Sequence, residues 1–373
     1  MPAREFDPIQ ALAAGLLAGL GLITLYSASP LDFRRQVLFV LLGVAVYVVG
    51  ARFDYRLLKS LAAPAYAAGV VALAAVAVLG HTRLGAQRWI DVAGVPVEPS
   101  EMDKLVMIVV LAALLSPARR WTWRRLGGVL AVAALPAGLV MLQPDLGTAI
   151  VFAALLVGLL FLAGVPGLQL AAVAGAGLLL LPLIPHLLHG YQRQRLLIFL
   201  DPSRDPLGAG YNLIQARIAV GSGGLWGRGW GQGGGQLGYV PARTTDFVFA
   251  LFAQQFGLIG SLVLLFVFGI LIYRLGRSAA MAPDRFGRLI CLGLALVLAV
   301  QVIQNVGMNL GLTPIAGIPL PFISSGGSSL VTLSAGLGLA QSTLRQRGSL
   351  AHRAPLASLT HVPAPGGTVH LGL

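Results

Sequence analysis

The sequence predicts an all-α integral membrane protein, a bundle of about ten transmembrane helices, on three observations. Of its 373 residues, 57% are hydrophobic and only 10% charged, against roughly 25% charged in a soluble domain. Nearly all of the chain falls in apolar runs of about 17 to 28 residues, long enough to cross a hydrocarbon core of roughly 30 Å. The basic residues collect between those runs rather than within them. In a membrane protein the net charge of +13 sets orientation and meets anionic lipid, so membrane lipid and not nucleic acid is the expected partner. The one cysteine, Cys291, lies in an apolar run, which allows no intrachain disulfide and no thiolate metal site.

Ten spans are drawn at 8–29, 34–50, 57–79, 100–116, 126–142, 146–164, 168–188, 246–273, 286–310 and 327–344. The first is long enough to span and so reads as a helix of the bundle rather than a cleaved leader. Gly15 and Gly19 stand in it at GxxxG spacing with Gly21 beside them, as close helix packing in a membrane favours. With the N-terminus inside, fifteen basic residues fall on the cytoplasmic side and five at the outer loops and helix mouths. Both termini are therefore expected in the cytoplasm, with the long loop 189–245 outside between helices 7 and 8. Residues 1–347 read as a single transmembrane bundle, and 348–373 as a polar, Pro-rich, disordered tail.

The loops carry the local signals. Trp89, Asp91, Val95 and Val97 alternate about Ala93-Gly94, the pattern of a short outer hairpin. Ser100-Glu101-Met102-Asp103 fits a capping box, and Lys104 follows Glu101 on the same helix face. That pair is either a solvated ion pair on a well-capped helix or, with Arg88, a place for an anionic headgroup. Asp145, in the tight Gln143-Pro144-Asp145 link, either caps the sixth span or belongs to a site. Pro182 and Pro185 should kink the seventh span. In the long loop, 193–200 and 211–220 read as amphipathic interfacial helices. Gly229, Gly231 and Gly234 satisfy GxGxxG, but no strand precedes them and no βαβ unit follows, so no nucleotide site is read there.

The chain is organised around 221–260. Ten glycines crowd positions 221–238, then Arg243 to Asp246 lead straight into an apolar helix. An acid at the edge of lipid is costly unless it faces water or a partner, so Asp246 either marks a functional site or caps the helix. In the ninth span Gln301, Asn305 and Asn309 recur every four residues, as interhelical hydrogen-bond glue or as the wall of a wet cavity. Next comes the outer loop PIAGIPLPFISSGGSS at 314–329. It ends in a helix start whose exposed N–H groups at Ser325, Gly326, Gly327 and Ser328 could cradle a diphosphate.

Together these motifs resemble the SEDS (shape, elongation, division and sporulation) family of peptidoglycan glycosyltransferases. The matching stretches are GAQRW at 85–89, PSExxK at 99–104, QPDLGTA at 143–149, FLDPSRDPLGAGYN at 199–212, IAVGSGGLWGRG at 218–229, TDFVFA at 245–250, NVGMNLG at 305–311 and GIPLPFISSGGSS at 317–329. They run in order over most of the bundle, and the FLDPSRDPLGAGYN and GSGGLWGRGW versions are closer to the elongation branch than to the division branch. The resemblance implies polymerisation of lipid II on the outer face of the bacterial cytoplasmic (inner) membrane, for elongation and rod shape. It also implies a class B penicillin-binding protein as crosslinking partner. The family's essential acid falls on Asp246, and Arg88, Trp89, Glu101 and Lys104 fall at positions near the family's catalytic cavity. Thr245 stands where the family commonly has His, Gln254-Gln255 where it has Glu-Glu, and Ser325 where it has Tyr.

In such a reaction Asp246 would take the proton of the attacking sugar hydroxyl. Arg88 and Lys104 would meet the departing diphosphate, with Glu101 orienting Lys104. A divalent cation, magnesium or manganese, has Asp246 as its candidate ligand. Two other functions fit the same composition: a flippase or transporter for lipid-linked precursors, and a non-catalytic scaffold that activates a penicillin-binding protein. A transporter should hold its ionisable groups deep in the spans, whereas Asp246, Glu101, Lys104 and Asp145 cluster at outer mouths.

Overall fold

The computed structural model describes residues 6–83, 86–92, 95–117, 120–180, 190–202, 205, 209–231 and 242–357. Helices α1 (Pro8–Ala28), α2 (Pro30–Arg52) and α3 (Leu57–Leu79) lead into an antiparallel sheet of β1 (His81–Arg83), β2 (Ala86–Val92) and β3 (Val95–Val97). Then come α4 (Pro99–Leu115), α5 (Trp123–Leu142), α6 (Leu146–Leu162), α7 (Gly167–Leu180), α8 (Gly190–Leu200) and α9 (Ala209–Ser222). The chain closes with α10 (Val248–Met281), α11 (Arg285–Leu310) and α12 (Gly327–Ala357). Each predicted span overlaps a helix, the seventh over 168–180 only, since 181–188 lie outside the described residues. Among the described residues six helices are long and apolar enough to cross a membrane. The expected hairpin forms, with Ile90 opposite Val97 and Val92 opposite Val95, and β1 adds a strand that sequence reading missed. Pro182, Pro185, Gly234, the turn at 93–94 and the tail from 358 lie outside the described residues. The last helix runs to Ala357, beyond Gly348 where a disordered tail was expected.

Local sequence sets the helix ends. Asp7 accepts from the Gln10 N–H with Pro8 following it, and Ser29 ends α1 and caps α2 through the Asp32 N–H with Pro30 following it. Asp284 caps α11, which ends at Gly311 in the left-handed region, φ 72°. The expected capping box at Ser100 does not form. Pro99 opens α4 instead, where a missing N–H costs nothing, and Glu98 takes the N-cap position without a side-chain cap bond.

α11 is the hub. Of its apolar window 61% is buried, against 11% for α2 and α3, and it packs on α4, α6, α9, α10 and α12. Leu38, Leu41 and Val44 of α2 and Leu258, Leu262 and Phe266 of α10 point outward as a bilayer would require. The stretch expected as an outer loop before α12 threads into the bundle, burying Ile315, Ile318, Leu320 and Ile323. Two glycines make room for its backbone. A Cβ at Gly21 would lie 2.9 Å from Ile323 Cα, and one at Gly147 would lie 2.6 Å from Ile318 Cγ1. Gly15 and Gly19 have open space around them, so the GxxxG pair marks no contact among the described residues.

The glycine run has a structural use as well. α10 breaks at Gly257 (φ 66°, ψ −165°), and the turn 224–229 fills the gap in its hydrogen-bond ladder. Arg228 N–H donates to Gln254 O at 2.9 Å and Gly229 N–H to Gln255 O at 3.2 Å. Leu258 N–H and Ile259 N–H donate to Gly224 O and Leu225 O at 2.9 and 3.1 Å. At membrane depth an unsatisfied backbone group costs several kcal/mol, so turn and break require each other. At the other end of the bundle Asp7 pairs with Arg274 at 2.6 Å, and its backbone exchanges two bonds with Gln341 of α12.

Gly257→Ala forces a Cβ into left-handed backbone and against the Gly227 N–H. It should destabilise the protein by about 2 kcal/mol or more. Gly269→Ala in the same helix, with nothing within 4 Å, is the control. Thermal unfolding of the two in detergent checks this, and equal melting temperatures would mean the turn does not depend on the break.

Candidate active site

A cavity of about 570 Å³ opens where α2, the β-sheet, α8 and the start of α12 meet. Its polar wall carries Arg88, Trp89, Glu98, Glu101, Arg195 and Asp246, and its apolar wall carries Leu38, Phe39 and Leu42 of α2. Ser325 to Ser328 form the third side. The cavity sits at the end of α12 opposite the Asp7–Gln341 contact.

Asp246 precedes α10, whose N-cap is Phe247 with no side-chain cap bond, so its carboxyl is not spent as a helix cap. Its own backbone is held tightly. Asn305 and Asn309 amides donate to Asp246 O at 2.9 and 3.1 Å. Ser324 Oγ donates to Thr245 O at 2.6 Å, and Ser325 N–H donates to Thr244 O at 2.8 Å. Asn305 also binds Ile318 O at 2.8 Å, tying the threaded segment to α11. Asn305, Asn309 and Gln301 are fully buried, and none lines this cavity. Asn305 and Asn309 act as glue, because their amides are used up on backbone carbonyls. Gln301 instead faces a water-sized space of about 10 Å³ beside Glu101 and Lys104.

Two guanidinium groups face Asp246 across Gly317. A Cβ at that glycine would lie 3.1 Å from Arg195 Nη1, 3.4 Å from Arg88 Nη1 and 3.6 Å from Asp246 Oδ2. The φ of +69° at Gly317 keeps the point open. Burial raises the pKa of Asp246, while Arg195 and Arg88 pull it down and Asp145 pushes it up. Glu98, whose Oε1 accepts from Ser100 Oγ at 3.3 Å, is pushed up to about 8, first by burial and then by Glu101 and Asp145, against Arg88 and Lys104.

The remaining expected residues lie one layer back. Asp145 is buried, caps α6 through the Thr148 N–H at 3.0 Å and pairs with Arg88 at 3.3 Å, which puts it behind the cavity wall rather than on it. Arg88 also donates to Pro144 O at 3.2 Å. Lys104 and Glu101 form a buried pair at 2.6 Å, not the solvated one. Lys104 does not reach the cavity, because Glu101 stands between. Arg195 and Glu98 were missed. The α8 segment reads as a basic amphipathic helix, and Glu98 lies outside the periodic part of its span.

Known proteins resemble this chain along most of its length. The cell cycle protein family of FtsW, RodA and SpoVE matches residues 10–348. The chain belongs to the FtsW/RodA/SpoVE family. It is 38% identical to the peptidoglycan glycosyltransferase MrdB of Escherichia coli K12 over 93% of this chain and 95% of that protein. It resembles, at 32% identity and TM-score 0.81, a chain of a structure described as the structural coordination of polymerization and crosslinking by a peptidoglycan synthase complex. That match covers 93% of this chain and 99% of the other. The rod shape determining protein RodA of Thermus thermophilus matches at 30% identity and TM-score 0.71, over 92% and 97% of the two chains. In this FtsW/RodA/SpoVE member the matched region contains every residue of the cavity described above.

The Asp145–Arg88 pair has side chains only 1% and 6% exposed, so removing the anion strands a buried cation. Asp145→Ala should cost about 3–5 kcal/mol. Asp145→Asn, which keeps a cap acceptor, should cost less. Melting temperatures of both variants check the order, and an Ala variant as stable as the parent would show that the pair carries nothing.

Proposed function

We propose that this chain is a peptidoglycan glycosyltransferase that polymerises lipid II during elongation and rod-shape maintenance, with Asp246 as its base. The observation that carries the reading is one carboxyl and two guanidinium groups meeting at Gly317, in a cavity whose other wall is apolar. A sugar hydroxyl of the acceptor attacks the anomeric carbon of the donor. Its proton passes to the Asp246 carboxylate as the new C–O bond forms. The bond from that carbon to the phosphate oxygen breaks, and the lipid diphosphate leaves with the electron pair. A raised pKa makes Asp246 a stronger base near neutral pH. Arg88 and Arg195 receive the charge growing on the leaving group. The backbone at Ser325 to Ser328, at the start of α12, adds a helix N-terminus beside them. Lys104, expected on the diphosphate, holds Glu101 instead.

The chain would cross the membrane ten times with both termini in the cytoplasm and the cavity on the outer face. Support comes from Arg274, Arg277 and Arg288, which fall at the Asp7 end of the bundle, away from the cavity. Leu38, Phe39 and Leu42 would let a lipid tail stay in the bilayer while its headgroup enters. A class B penicillin-binding protein is the crosslinking partner. A divalent cation on Asp246 does not fit these side chains. Two guanidinium groups face it, and among the described residues no three His, Cys, Asp or Glu side chains form a metal site. No step is routed through a metal.

Purified protein with its class B partner is given lipid II in detergent, and glycan strands are resolved on a gel. Asp246→Asn should cut the rate by at least about a hundredfold with an unchanged melting temperature. A parent-like rate would remove Asp246 as base. No polymer from the parent, with lipid-linked precursor crossing vesicle membranes instead, would favour a flippase. Polymer made by the pair but untouched by Asp246 substitution would favour a scaffold.

A further inference from the structure

Glu98 shares the cavity with Asp246, yet the mechanism above gives it nothing to do. Its placement is specific. The Glu98 N–H donates to Ser328 Oγ at 3.1 Å, which joins the β3–α4 corner to the first turn of α12. Its Oε1 accepts from Ser100 Oγ, so a proton on this carboxyl sits on Oε2. Its side chain lines the same cavity as Arg88 and Arg195. It therefore lies beside the helix start in the cavity that the two guanidinium groups share, where a lipid diphosphate would lie on the proposed function.

We propose that Glu98 is a neutral, hydrogen-donating carboxyl of this site, whose Oε2–H binds a phosphate oxygen of the lipid diphosphate. An ionised carboxylate there could only repel the ligand. The charged groups packed around it are Glu101 and Lys104 on its own helix, Arg88 from β2 and Asp145 from the cap of α6. Two acids and two cations largely cancel, and partial removal from water of this half-buried carboxyl then favours the neutral form. Across the cavity Asp246 and Arg195, and Asp32 and Arg35 of α2, again offer one acid for each cation. The sign follows. A carboxyl whose pKa is raised by folding is neutral through the physiological range and loses its proton as pH rises through about 8. Ligand binding adds negative charge beside it and so holds the proton more firmly.

The test needs no turnover. Binding of farnesyl diphosphate to the full-length protein in detergent is measured from about pH 6.5 to pH 9.5 in parent, Glu98→Gln and Glu98→Ala. Above about pH 8 the parent should lose affinity, approaching tenfold per pH unit. Glu98→Gln donates as the neutral acid does but cannot ionise, so its affinity should lose that alkaline slope. Glu98→Ala should bind roughly fivefold more weakly than the parent near neutral pH, with Gln recovering most of the loss. Parent and Gln variant declining in parallel would overturn the proposal, as would an Ala variant that binds as tightly as the parent at neutral pH. If Ala fails to fold, the comparison of parent and Gln slopes decides alone. Failure to polymerise lipid II would sink the proposed function and leave this binding result standing.

Discussion

Three consecutive backbone carbonyls, those of Thr244, Thr245 and Asp246, are each gripped from elsewhere in the chain. The Asn305 and Asn309 amides take one, the Ser324 hydroxyl another and the Ser325 N–H the third. Each bond is worth only about 1 kcal/mol net. Their joint effect is to remove the freedom of the one segment whose carboxyl must meet a substrate. A base that moved by an ångström would lose most of its advantage, and the clamp opposes that movement.

The clamp works only because the threaded segment 312–326 is itself immobilised. Gly21 and Gly147 let its backbone lie against α1 and α6, and its isoleucines and leucine fill the core. Buried loops are rare because their polar backbone must find partners. Here α11 supplies them, Asn305 donating to Ile318 O at 2.8 Å and Gln304 Nε2 to Pro314 O at 3.5 Å. A span that looks wasteful, with amides on a helix surrounded by apolar chain, is the reason an irregular segment can sit at the centre of a membrane protein. The same trade recurs at Gly257, where a turn and a broken helix satisfy each other.

Much of this was legible in the sequence, and the limits have physical causes. Apolar periodicity and proline-led starts located the helices, because both report on burial and capping within a few residues. Asp246, Arg88 and Asp145 stood out because acids and bases at helix mouths are rare. What failed was anything set by contact between distant segments. The stretch before α12 reads as a loop from its prolines, yet it is buried, since only the bundle provides partners for its backbone. Lys104 looks like an anion ligand until Glu101 is seen to stand in front of it. Arg195 carries no local signal at all, because a basic interfacial helix and a helix pointing one arginine into a cavity have the same composition. Glu98 was passed over for the opposite reason. A carboxylate next to a helix start is ordinary, and only the surrounding burial makes it otherwise.

The charges of the cavity also constrain how it can bind an anion. Arg88 is matched by Asp145 and Lys104 by Glu101, both at close range and out of water. Buried pairs of this kind hold their partners in place but contribute little net potential beyond them. The wall seen by a ligand is then set by Arg195 and Arg35 together with Asp246, Glu98 and Asp32. With all three acids ionised that wall would be negative, and a diphosphate would be excluded by the site meant to receive it. A proton on Glu98 evens the balance without adding a cation. It leaves Asp246 as the carboxylate facing two guanidinium groups, which is the arrangement a base needs if it is to stay ionised until a hydroxyl arrives. The raised pKa values of the two carboxyls thus need not fall together. Burial raises both, and cations oppose it at both, Arg195 and Arg88 at Asp246 and Arg88 and Lys104 at Glu98. But Glu98 has two neighbouring acids, Glu101 and Asp145, where Asp246 has Asp145 alone.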